Sequence, residues 1–322
     1  MHHAEIVRAF GLHSDPTRGL SSLSSSAPVY CVRDGTAQRI VKQTQPPLSR
    51  AQAIRRWTRT LASAGIRVVT PVALAGDNPR AFPPEAETGA EIWVVYPFIT
   101  GDRYRGTLAE IRAAGQLLGA IHATASQSDW GLKPQETVVV VAADELAQDS
   151  TTVLDQVVVT FPGAVGVARQ TLLQRVEQYL GDLLPRLITT RLPLANCSWD
   201  YKASNLVYPT PTAPVLVDPD NAGRLPRAYD LAIAAWLFHT DAPDAPDRVF
   251  TRDEWASFVE GYGQHVQLTA QERHVWEDLL VCAWVDEALW LLSHDAEGWR
   301  HRRQANLLLS LLTTEIATLS LA

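Results

Sequence analysis

Apolar and polar positions alternate with a period of two over much of the first hundred residues, which predicts β-strands. Residues 28–43, PVYCVRDGTAQRIVKQ, form two such runs around Asp34-Gly35, a pair suited to positive φ, and therefore predict a hairpin. Ser49 and Gly65 are the predicted N-cap and stop of a helix in the same part of the chain. The other predicted elements here are that helix at residues 49–64 and strands at residues 67–75 and 91–98.

The apolar period lengthens to about 3.6 residues after residue 106, which predicts helices. Predicted helices occupy residues 107–126, 167–188, 228–240, 252–265, 270–293 and 300–319. Residues 205–218 break this pattern with two short β-like runs around PTPTA. The chain is therefore predicted to have an α+β fold of two lobes: a small β-rich N-terminal lobe over residues 1–100 and a large, mostly helical C-terminal lobe over residues 101–322.

The composition is that of a globular protein, with 46% hydrophobic and 20% charged residues. The cysteines have neither metal-ligand nor paired spacing, which favours reduced thiols and a cytoplasmic location: Cys31, Cys197 and Cys282. The first residues lack the apolar stretch of a signal peptide. The longest apolar run, residues 138–143, is too short to span a bilayer, so no membrane partner is expected.

Charge is distributed unevenly along the chain. Residues 1–106 hold 13 Lys and Arg against 8 Asp and Glu, whereas residues 107–322 hold 15 against 27. This asymmetry suits an anionic ligand next to a cationic or neutral one, and the absence of a basic cluster argues against nucleic acid. Two acidic runs in the large lobe attract a cationic ligand if they face a cleft and contribute nothing if they face solvent: Asp241, Asp244 and Asp247, and Asp253, Glu254 and Glu260.

Lysine is rare in this chain. Only Lys42, Lys133 and Lys202 occur among 28 basic residues. Where a chain that otherwise uses arginine keeps lysine, a compact ammonium group is favoured over a broad guanidinium.

One of these lysines lies in SWDYKASNLVY, residues 198–208, between Asp200 and Asn205. The stretch precedes the β-like runs, which end at Asp218 and Asp220. A loop aspartate, an asparagine five residues on and an aspartate after the next hairpin form the active-site arrangement of kinase-like enzymes.

Residues 200–237 resemble the aminoglycoside phosphotransferase and choline kinase-like family. The family motif has an aspartate, four residues, an asparagine, a hairpin, an Asp-x-Asp and then a Tyr-Asp-Leu-Ala helix start, here at residues 229–232. Weaker similarity covers nearly the whole chain, including RIVKQ, VVYPFITGDRY and AAGQLLGAIHA. The resemblance implies a bilobal protein-kinase-like fold that binds a nucleoside triphosphate, ATP or GTP, between its lobes.

The resemblance also implies a role for each motif residue. Asp200 would orient the acceptor hydroxyl and take its proton, while Lys202 would offset charge on the transferred phosphate. Mg²⁺, which prefers hard oxygen ligands, would be held by Asn205, Asp218 and Asp220. The residues expected to bind the nucleotide are Lys42, Ser24, Ser25, Ser26, Tyr96 and Phe98.

The chain also departs from the family pattern. Ser198 and Trp199 stand where the family has His-Gly before the aspartate, and Lys202 stands where it often has histidine. Residues 43–76 contain no Asp or Glu, so the usual helix glutamate that pairs with Lys42 is missing. The turn expected to cover the phosphates contains serines instead of glycines.

Several candidates have a structural explanation as well. Asp200 can cap a helix, and Lys42 and Lys202 can be exposed surface residues. Asp220 is either a second metal ligand or a turn residue, and Asp230 is predicted to be an N-cap or loop anchor. Core packing is the simplest role for one histidine and three tryptophans: His122, Trp276, Trp284 and Trp290. Some of the tryptophans could instead line an acceptor pocket.

The sequence thus predicts a phosphotransferase that acts on a hydroxyl of a small molecule. An antibiotic, either an aminoglycoside or another class such as a nucleoside or peptide antibiotic, is the expected acceptor, with resistance as the consequence. The alternatives are a metabolic kinase of the choline, sugar or homoserine type, or a nucleotide-binding module that has lost catalysis.

Overall fold

An antiparallel sheet in the order β1-β2-β4-β3 forms the first part of the chain. In this computed structural model its strands are β1 (Val29–Asp34), β2 (Ala37–Thr44), β3 (Arg80–Phe82) and β4 (Glu91–Pro97). The structure describes residues 3–12, 21–24, 27–83, 90–124, 130–134 and 141–321. The predicted hairpin is confirmed, since Asp34 pairs with Ala37 and Gly35 in the turn has φ 61°.

The strand predicted at residues 67–75 is wrong. The extended backbone there pairs with Leu216 in one isolated parallel bridge at Val68: Val69 donates to the carbonyl of Leu216 at 2.9 Å, and Leu216 donates to that of Arg67 at 3.0 Å. Because Val72 then donates to a different element, the carbonyl of Val95 at 2.9 Å, no continuous ladder forms. The segment instead ties the sheet to a hairpin of the large lobe.

Two helices accompany the sheet, α1 (His3–Ala9) and α2 (Leu48–Ser63). The first was not predicted; its Ile6 and Val7 are fully buried against one face of the sheet. The second confirms the predicted helix, but its N-cap is Pro47 and no side chain caps it, so Ser49 does not have the predicted role. Gly65 follows the helix end with φ 80°.

The large lobe is mostly helical, and the bilobal α+β fold is confirmed. Its helices are α3 (Leu108–Ala123), α4 (Ala143–Thr160), α5 (Val165–Gln178), α6 (Leu184–Thr189), α7 (Arg227–Leu237), α8 (Arg252–Tyr262), α9 (Ala270–His274), α10 (Trp276–Ala283), α11 (Trp290–His294) and α12 (Arg302–Thr313). No helix within the described ranges combines the length and apolarity that crossing a membrane requires.

Helix bounds in this lobe differ from the prediction in several ways. The helix predicted at 167–188 is divided into α5 and α6, with a π-helical turn over Tyr179–Leu183 between them. The helix predicted at 270–293 is divided into α9, α10 and α11, with a π-helical turn over Trp284–Leu289 between the last two. Helix α4 was not predicted, because its apolar residues are spaced among many polar ones and only Leu146, Val153 and Val157 are buried.

Two short strand pairs lie within the helical lobe. The predicted hairpin around PTPTA is confirmed as β6 (Leu206–Val207) and β7 (Val215–Leu216). A second pair, β5 (Leu194–Cys197) and β8 (Gly223–Pro226), was not predicted, because these four-residue strands are distant in sequence. Together the two pairs hold both ends of the segment that contains Asp200 and Asp218.

The connector after β4 is bound to the same hairpin. Asp102 donates its backbone N–H to Tyr208 at 2.8 Å, and Tyr208 donates back to Asp102 at 2.9 Å. The backbones approach so closely at Gly101 that a Cβ there would lie 2.7 Å from the Tyr208 backbone. The connector therefore fixes the sheet next to the loop that follows β5.

Candidate active site

Asp200 lies in the loop between β5 and β6, and both of its carboxylate oxygens are bound. Oδ2 accepts hydrogen bonds from the side-chain amides of Asn205 at 3.0 Å and Asn221 at 3.3 Å. Oδ1 lies 3.1 Å from Nζ of Lys202. The side chain keeps 28% of its exposure, so it is fixed in orientation and still accessible.

The loop is anchored from behind by a buried chain of hydrogen bonds. Trp199 donates its backbone N–H to Oδ1 of Asp230 at 2.9 Å. Oδ2 of Asp230 bonds Nε2 of His122 at 2.9 Å, and Nδ1 of His122 bonds the Tyr262 hydroxyl at 3.0 Å. Asp230 lies inside α7 and is therefore a loop anchor, as one of the two predictions had it, and His122 is a buried structural histidine.

Lys42 projects from β2 toward two carboxylates. Its Nζ lies 2.6 Å from both oxygens of Asp218 and 3.2 Å from Oδ2 of Asp220. Burial by itself would lower the pKa of Lys42, but the charges of Asp220 and Asp218 outweigh it and raise the pKa above the ordinary lysine value. Lys42 thus has partners despite the missing helix glutamate.

The β6–β7 hairpin brings the candidate metal ligands together. Val217 donates its N–H to the backbone carbonyl of Asn205 at 2.9 Å, which places Asp218 next to the loop. Asp220 is buried, and its Oδ1 accepts a hydrogen bond from the Tyr96 hydroxyl at 3.1 Å. Burial raises the pKa of Asp220, and Lys42 opposes that shift.

These oxygens suit a divalent cation. Two carboxylates converge on the single positive charge of Lys42, which lies 2.6 Å from Asp218 and 3.2 Å from Oδ2 of Asp220. Asn205 uses its amide nitrogen for Asp200, which leaves its amide oxygen for another partner. A hard cation such as Mg²⁺ prefers this set of oxygen donors.

The residues predicted to bind the nucleotide lie in different environments. Tyr96 is buried, and Phe98 is 38% exposed just beyond β4. Ser24 lies close to the N-terminal end of β1. The hydroxyl of Ser22, two residues before it, accepts a hydrogen bond from the backbone N–H of Val29, which pairs with Lys42 in the sheet. Two of the predicted residues lie outside the described residues: Ser25 and Ser26.

An apolar surface lies between the sheet and the β6–β7 hairpin. Its members come from β2, the extended segment before β3, β4, the connector and the hairpin, and three of them, Val69, Val94 and Tyr96, are buried: Ile40, Val69, Val94, Tyr96, Ile99, Val215 and Val217. Ile40 and Lys42 point to the same face of β2, because alternate residues share a face. This surface therefore adjoins the charged cluster around Lys42.

Lys202 is bound on two sides, by Asp200 and by Asp241, whose Oδ2 lies 2.8 Å from Nζ. Burial opposes its charge, but these two carboxylates raise the pKa of Lys202 above the ordinary value. Of the two acidic runs, Asp241 thus reaches the site. Others are used elsewhere, since Glu254 pairs with Arg248 and Glu260 with Arg112.

The structure adds residues that the sequence did not suggest. Asn221 binds Asp200, and Arg50 of α2 donates to the backbone carbonyl of Asp220 at 3.3 Å. Glu287 accepts the indole N–H of Trp199 at 3.1 Å. Residues 43–76 contain several arginines and no acid, and this pattern indicates that Arg50 could bind an anion. No sequence pattern points to Asn221 or Glu287.

The tryptophans considered in the sequence do not line this site as a group. Trp276 and Trp284 are buried in the core, at 2% and 0% exposure. Trp290 is exposed and stacks on His294.

The sequence profile of the Phosphotransferase enzyme family matches residues 18–279, which is most of the chain and includes Lys42, Asp200 and Asp218. The chain belongs to this family. It is a phosphotransferase that acts on hydroxyl groups of small molecules. No curated protein matches the chain significantly.

Solved structures share the fold at low sequence identity. Amicoumacin kinase hAmiN, in complex with AMP-PNP, Ca²⁺ and Ami, has a TM-score of 0.68 and 21% identity over 98% of this chain and 92% of its own. A microcompartment-associated aminopropanol kinase gives 0.64 and 16%, over 96% and 94%. Spectinomycin phosphotransferase APH(9)-Ia, with ADP and spectinomycin, gives 0.58 and 14%, over 96% of each chain.

Proposed function

We propose that this phosphotransferase uses ATP or GTP to phosphorylate a hydroxyl of an antibiotic, with resistance as the consequence. The arrangement of Asp200 carries the part of the proposal that concerns transfer to a hydroxyl. Both of its oxygens are fixed by Asn205, Asn221 and Lys202, yet the side chain remains accessible next to the Lys42 cluster. A fixed, accessible carboxylate next to a cationic cluster is what transfer from a nucleotide to a hydroxyl requires.

In the proposed reaction Asp200 accepts a hydrogen bond from the acceptor hydroxyl and takes its proton as the oxygen attacks the terminal phosphorus. The new P–O bond forms while the bond from that phosphorus to the bridging oxygen breaks, and the nucleoside diphosphate leaves. Lys42 and Arg50 face the phosphates from the sheet side, and Lys202 offsets charge on the transferred group.

The bound nucleotide lies between the two lobes. Residues 1–100 form the nucleotide-binding lobe, and residues 101–322 form the lobe that binds the acceptor. The partly buried Ile40, Ile99 and Val217 of this apolar surface suit a flat base beside the charged cluster. Tyr96, Phe98 and the turn that contains Ser24, Ser25 and Ser26 are also proposed to bind the nucleotide.

Magnesium would be held by Asp218 and Asp220, which converge on Lys42, and by the amide oxygen of Asn205. When bound, it supplies positive charge that neutralises the nucleotide phosphates. Lys42 would then exchange its carboxylate partners for phosphate oxygens, which also accept charge-assisted hydrogen bonds.

The acceptor class is tested in two steps. Purified protein with Mg²⁺ and ATP or GTP is incubated with aminoglycosides, nucleoside and peptide antibiotics, choline, sugars and homoserine, and products are detected by mass spectrometry. The gene is then expressed in a susceptible bacterium and growth is measured across the drug classes. Phosphorylation and protection by one antibiotic support the proposal; a product from choline, a sugar or homoserine alone shows a metabolic kinase.

The remaining alternative is a nucleotide-binding module without transferase activity. It predicts nucleotide binding with no phosphorylated product from any acceptor. The complete set of Asp200, Asn205 and Asp218 in one site argues against it.

A further inference from the structure

Asp241 lies in the loop between α7 and α8 and has an uncommon backbone conformation, with φ 58°. Residues other than glycine enter this left-handed region only occasionally, although aspartate and asparagine tolerate it better than most. Such residues persist where the surrounding structure holds them, and they cluster at functional sites. Oδ2 of Asp241 accepts a hydrogen bond from Nζ of Lys202 at 2.8 Å, across 39 positions of the chain. The conformation therefore directs a carboxylate toward the catalytic loop.

The loop that carries Asp241 is held on both sides of this residue. Before it, His239 bonds the Tyr104 hydroxyl at 2.8 Å through Nε2 and the backbone carbonyl of Arg248 at 2.6 Å through Nδ1. After it, Arg303 of α12 donates to two backbone carbonyls of the loop, at positions 243 and 245. Contacts from three other parts of the chain thus fix where the carboxylate of Asp241 lies.

The end of α7 is also bonded directly to the catalytic loop. Ala203 donates its backbone N–H to the carbonyl of Phe238 at 2.7 Å, and both residues are buried. Lys202 directly precedes Ala203, and Asp241 follows Phe238 by three residues. This buried hydrogen bond therefore sets the separation between the backbones that carry Lys202 and Asp241.

The ammonium group of Lys202 lies between two carboxylates, with Oδ1 of Asp200 at 3.1 Å and Oδ2 of Asp241 at 2.8 Å. The side chain of Asp241 is 57% exposed, and an ion pair with so exposed a partner contributes little to stability. Stability therefore does not explain why a braced, left-handed residue supplies this second carboxylate. Its geometric effect is to hold the ammonium group away from full pairing with Asp200.

We infer that Asp241 is a positioning residue for phosphoryl transfer, which holds the Lys202 ammonium group beside Asp200 and within reach of the transferred phosphate. Without Asp241, Asp200 would be the one carboxylate paired with Lys202, and closer pairing would occupy the oxygen that accepts the hydroxyl proton. The inference rests on the proposed function, because it takes Asp200 as the base and Lys202 as the cation on the phosphate. Asp241 acts through Lys202 and is not itself a catalytic residue.

The first test observes the lysine side chain directly. Because the chain contains only Lys42, Lys133 and Lys202, isotope-labelled lysine gives three sets of side-chain NMR signals, each assigned by replacing one lysine with arginine. Asp241→Asn removes the charge and keeps a residue that tolerates positive φ. We expect the Lys202 signal to shift and its side chain to become more mobile, while the signals of Lys42 and Lys133 stay unchanged. An unchanged Lys202 signal would overturn the inference.

The second test is a double-mutant cycle of Asp241→Asn with Lys202→Met. ADP release is measured with Mg²⁺, ATP and the compound of the acceptor panel that the wild-type protein phosphorylates fastest. Asp241→Asn alone should lower kcat about tenfold and leave KM for ATP within about twofold, because the ammonium group is misplaced. In Lys202→Met the same change should lower kcat by less than about twofold, since the group that Asp241 positions is already gone.

Two further variants control for effects on the loop itself. Asp241→Gly also tolerates positive φ and should reproduce the kinetics of Asp241→Asn, so the result does not depend on one folded variant. Asp244→Asn makes the same substitution at an exposed acid of the same loop and should change neither kcat nor the Lys202 signal.

The outcomes separate this inference from the proposed function. If Asp241→Asn keeps the wild-type kcat, or lowers kcat equally with and without Lys202, the inference is wrong and the transferase function stands. If the wild-type protein binds MgATP but phosphorylates no compound of the panel, both are wrong. A loss of kcat that disappears in the Lys202→Met background, together with a changed Lys202 signal, supports the inference.

Discussion

The two sides of the Asp200 loop, one facing the antiparallel sheet and one facing the helices of the large lobe, differ in how their charged groups are paired. On the sheet side, Lys42 lies between Asp218 and Asp220, so its positive charge is balanced by acids that also suit a divalent cation. On the helical side, Lys202 is shared by Asp200 and Asp241, and Glu287 accepts the indole N–H of Trp199 nearby. We therefore propose that the sheet side binds the nucleotide with its metal and that the helical side binds the acceptor.

The largest effect is expected on the sheet side. Asp218→Asn removes the closer carboxylate on Lys42 and one predicted metal ligand, so Mg²⁺-dependent nucleotide binding should weaken and kcat/KM should fall by about a thousandfold. Nucleotide titration at several Mg²⁺ concentrations and steady-state rates measure both. Asp244→Asn, in an exposed acid of the large lobe, is the control. Unchanged Mg²⁺ dependence would place the metal elsewhere.

The loop anchor should have the next largest effect. Asp230→Ala frees the N–H of Trp199, and a small displacement of Asp200 should lower kcat about a hundredfold while KM for ATP stays constant. Asp230→Asn keeps an oxygen acceptor and should recover part of the loss. Both variants are assayed well below their melting temperatures. A loss of ATP affinity that parallels the loss of kcat would indicate general destabilisation instead of positioning.

Arg50 tests the second cation of the sheet side. Removing a charge-assisted contact to phosphate with Arg50→Gln should raise KM for ATP about tenfold and leave adenosine binding unchanged. Arg59→Gln, at an exposed arginine of the same helix, should change neither value. Equal weakening of ATP and adenosine would mean that Arg50 merely supports the Asp220 backbone.

The smallest effect concerns ionic strength on the helical side. Because salt screens partly exposed charges, KM for an amine acceptor should rise a few-fold between about 50 mM and about 500 mM salt. A flat response in the wild-type protein would leave shape, and not charge, as the source of acceptor binding.

The sheet side could be predicted from the sequence because its parts are local or periodic. Asp200, Asn205 and Asp218 are close in the chain, and the alternation of β2 identifies the strand that carries Lys42. The partners of Lys42 could not be predicted, because that contact joins residues 176 positions apart and depends on how the lobes meet.

The helical side was largely invisible in the sequence. Trp199 could be noticed as a departure from the family motif, but Glu287 lies 88 residues away in a π-helical turn that a helical period of 3.6 does not reveal. The acidic run at Asp241, Asp244 and Asp247 indicated negative charge without showing that Asp241 alone of these contacts Lys202. Tertiary packing, and not local pattern, decides such contacts.

The most direct test of this account measures nucleotide binding and phosphoryl transfer in Asp200→Asn. The substitution keeps the size of the side chain and removes the base, so MgATP affinity should stay within about twofold of wild type while transfer to the acceptor falls about a thousandfold or more. That separation would show that the two sides of the loop act independently around one catalytic carboxylate. Near-normal transfer by Asp200→Asn would contradict it.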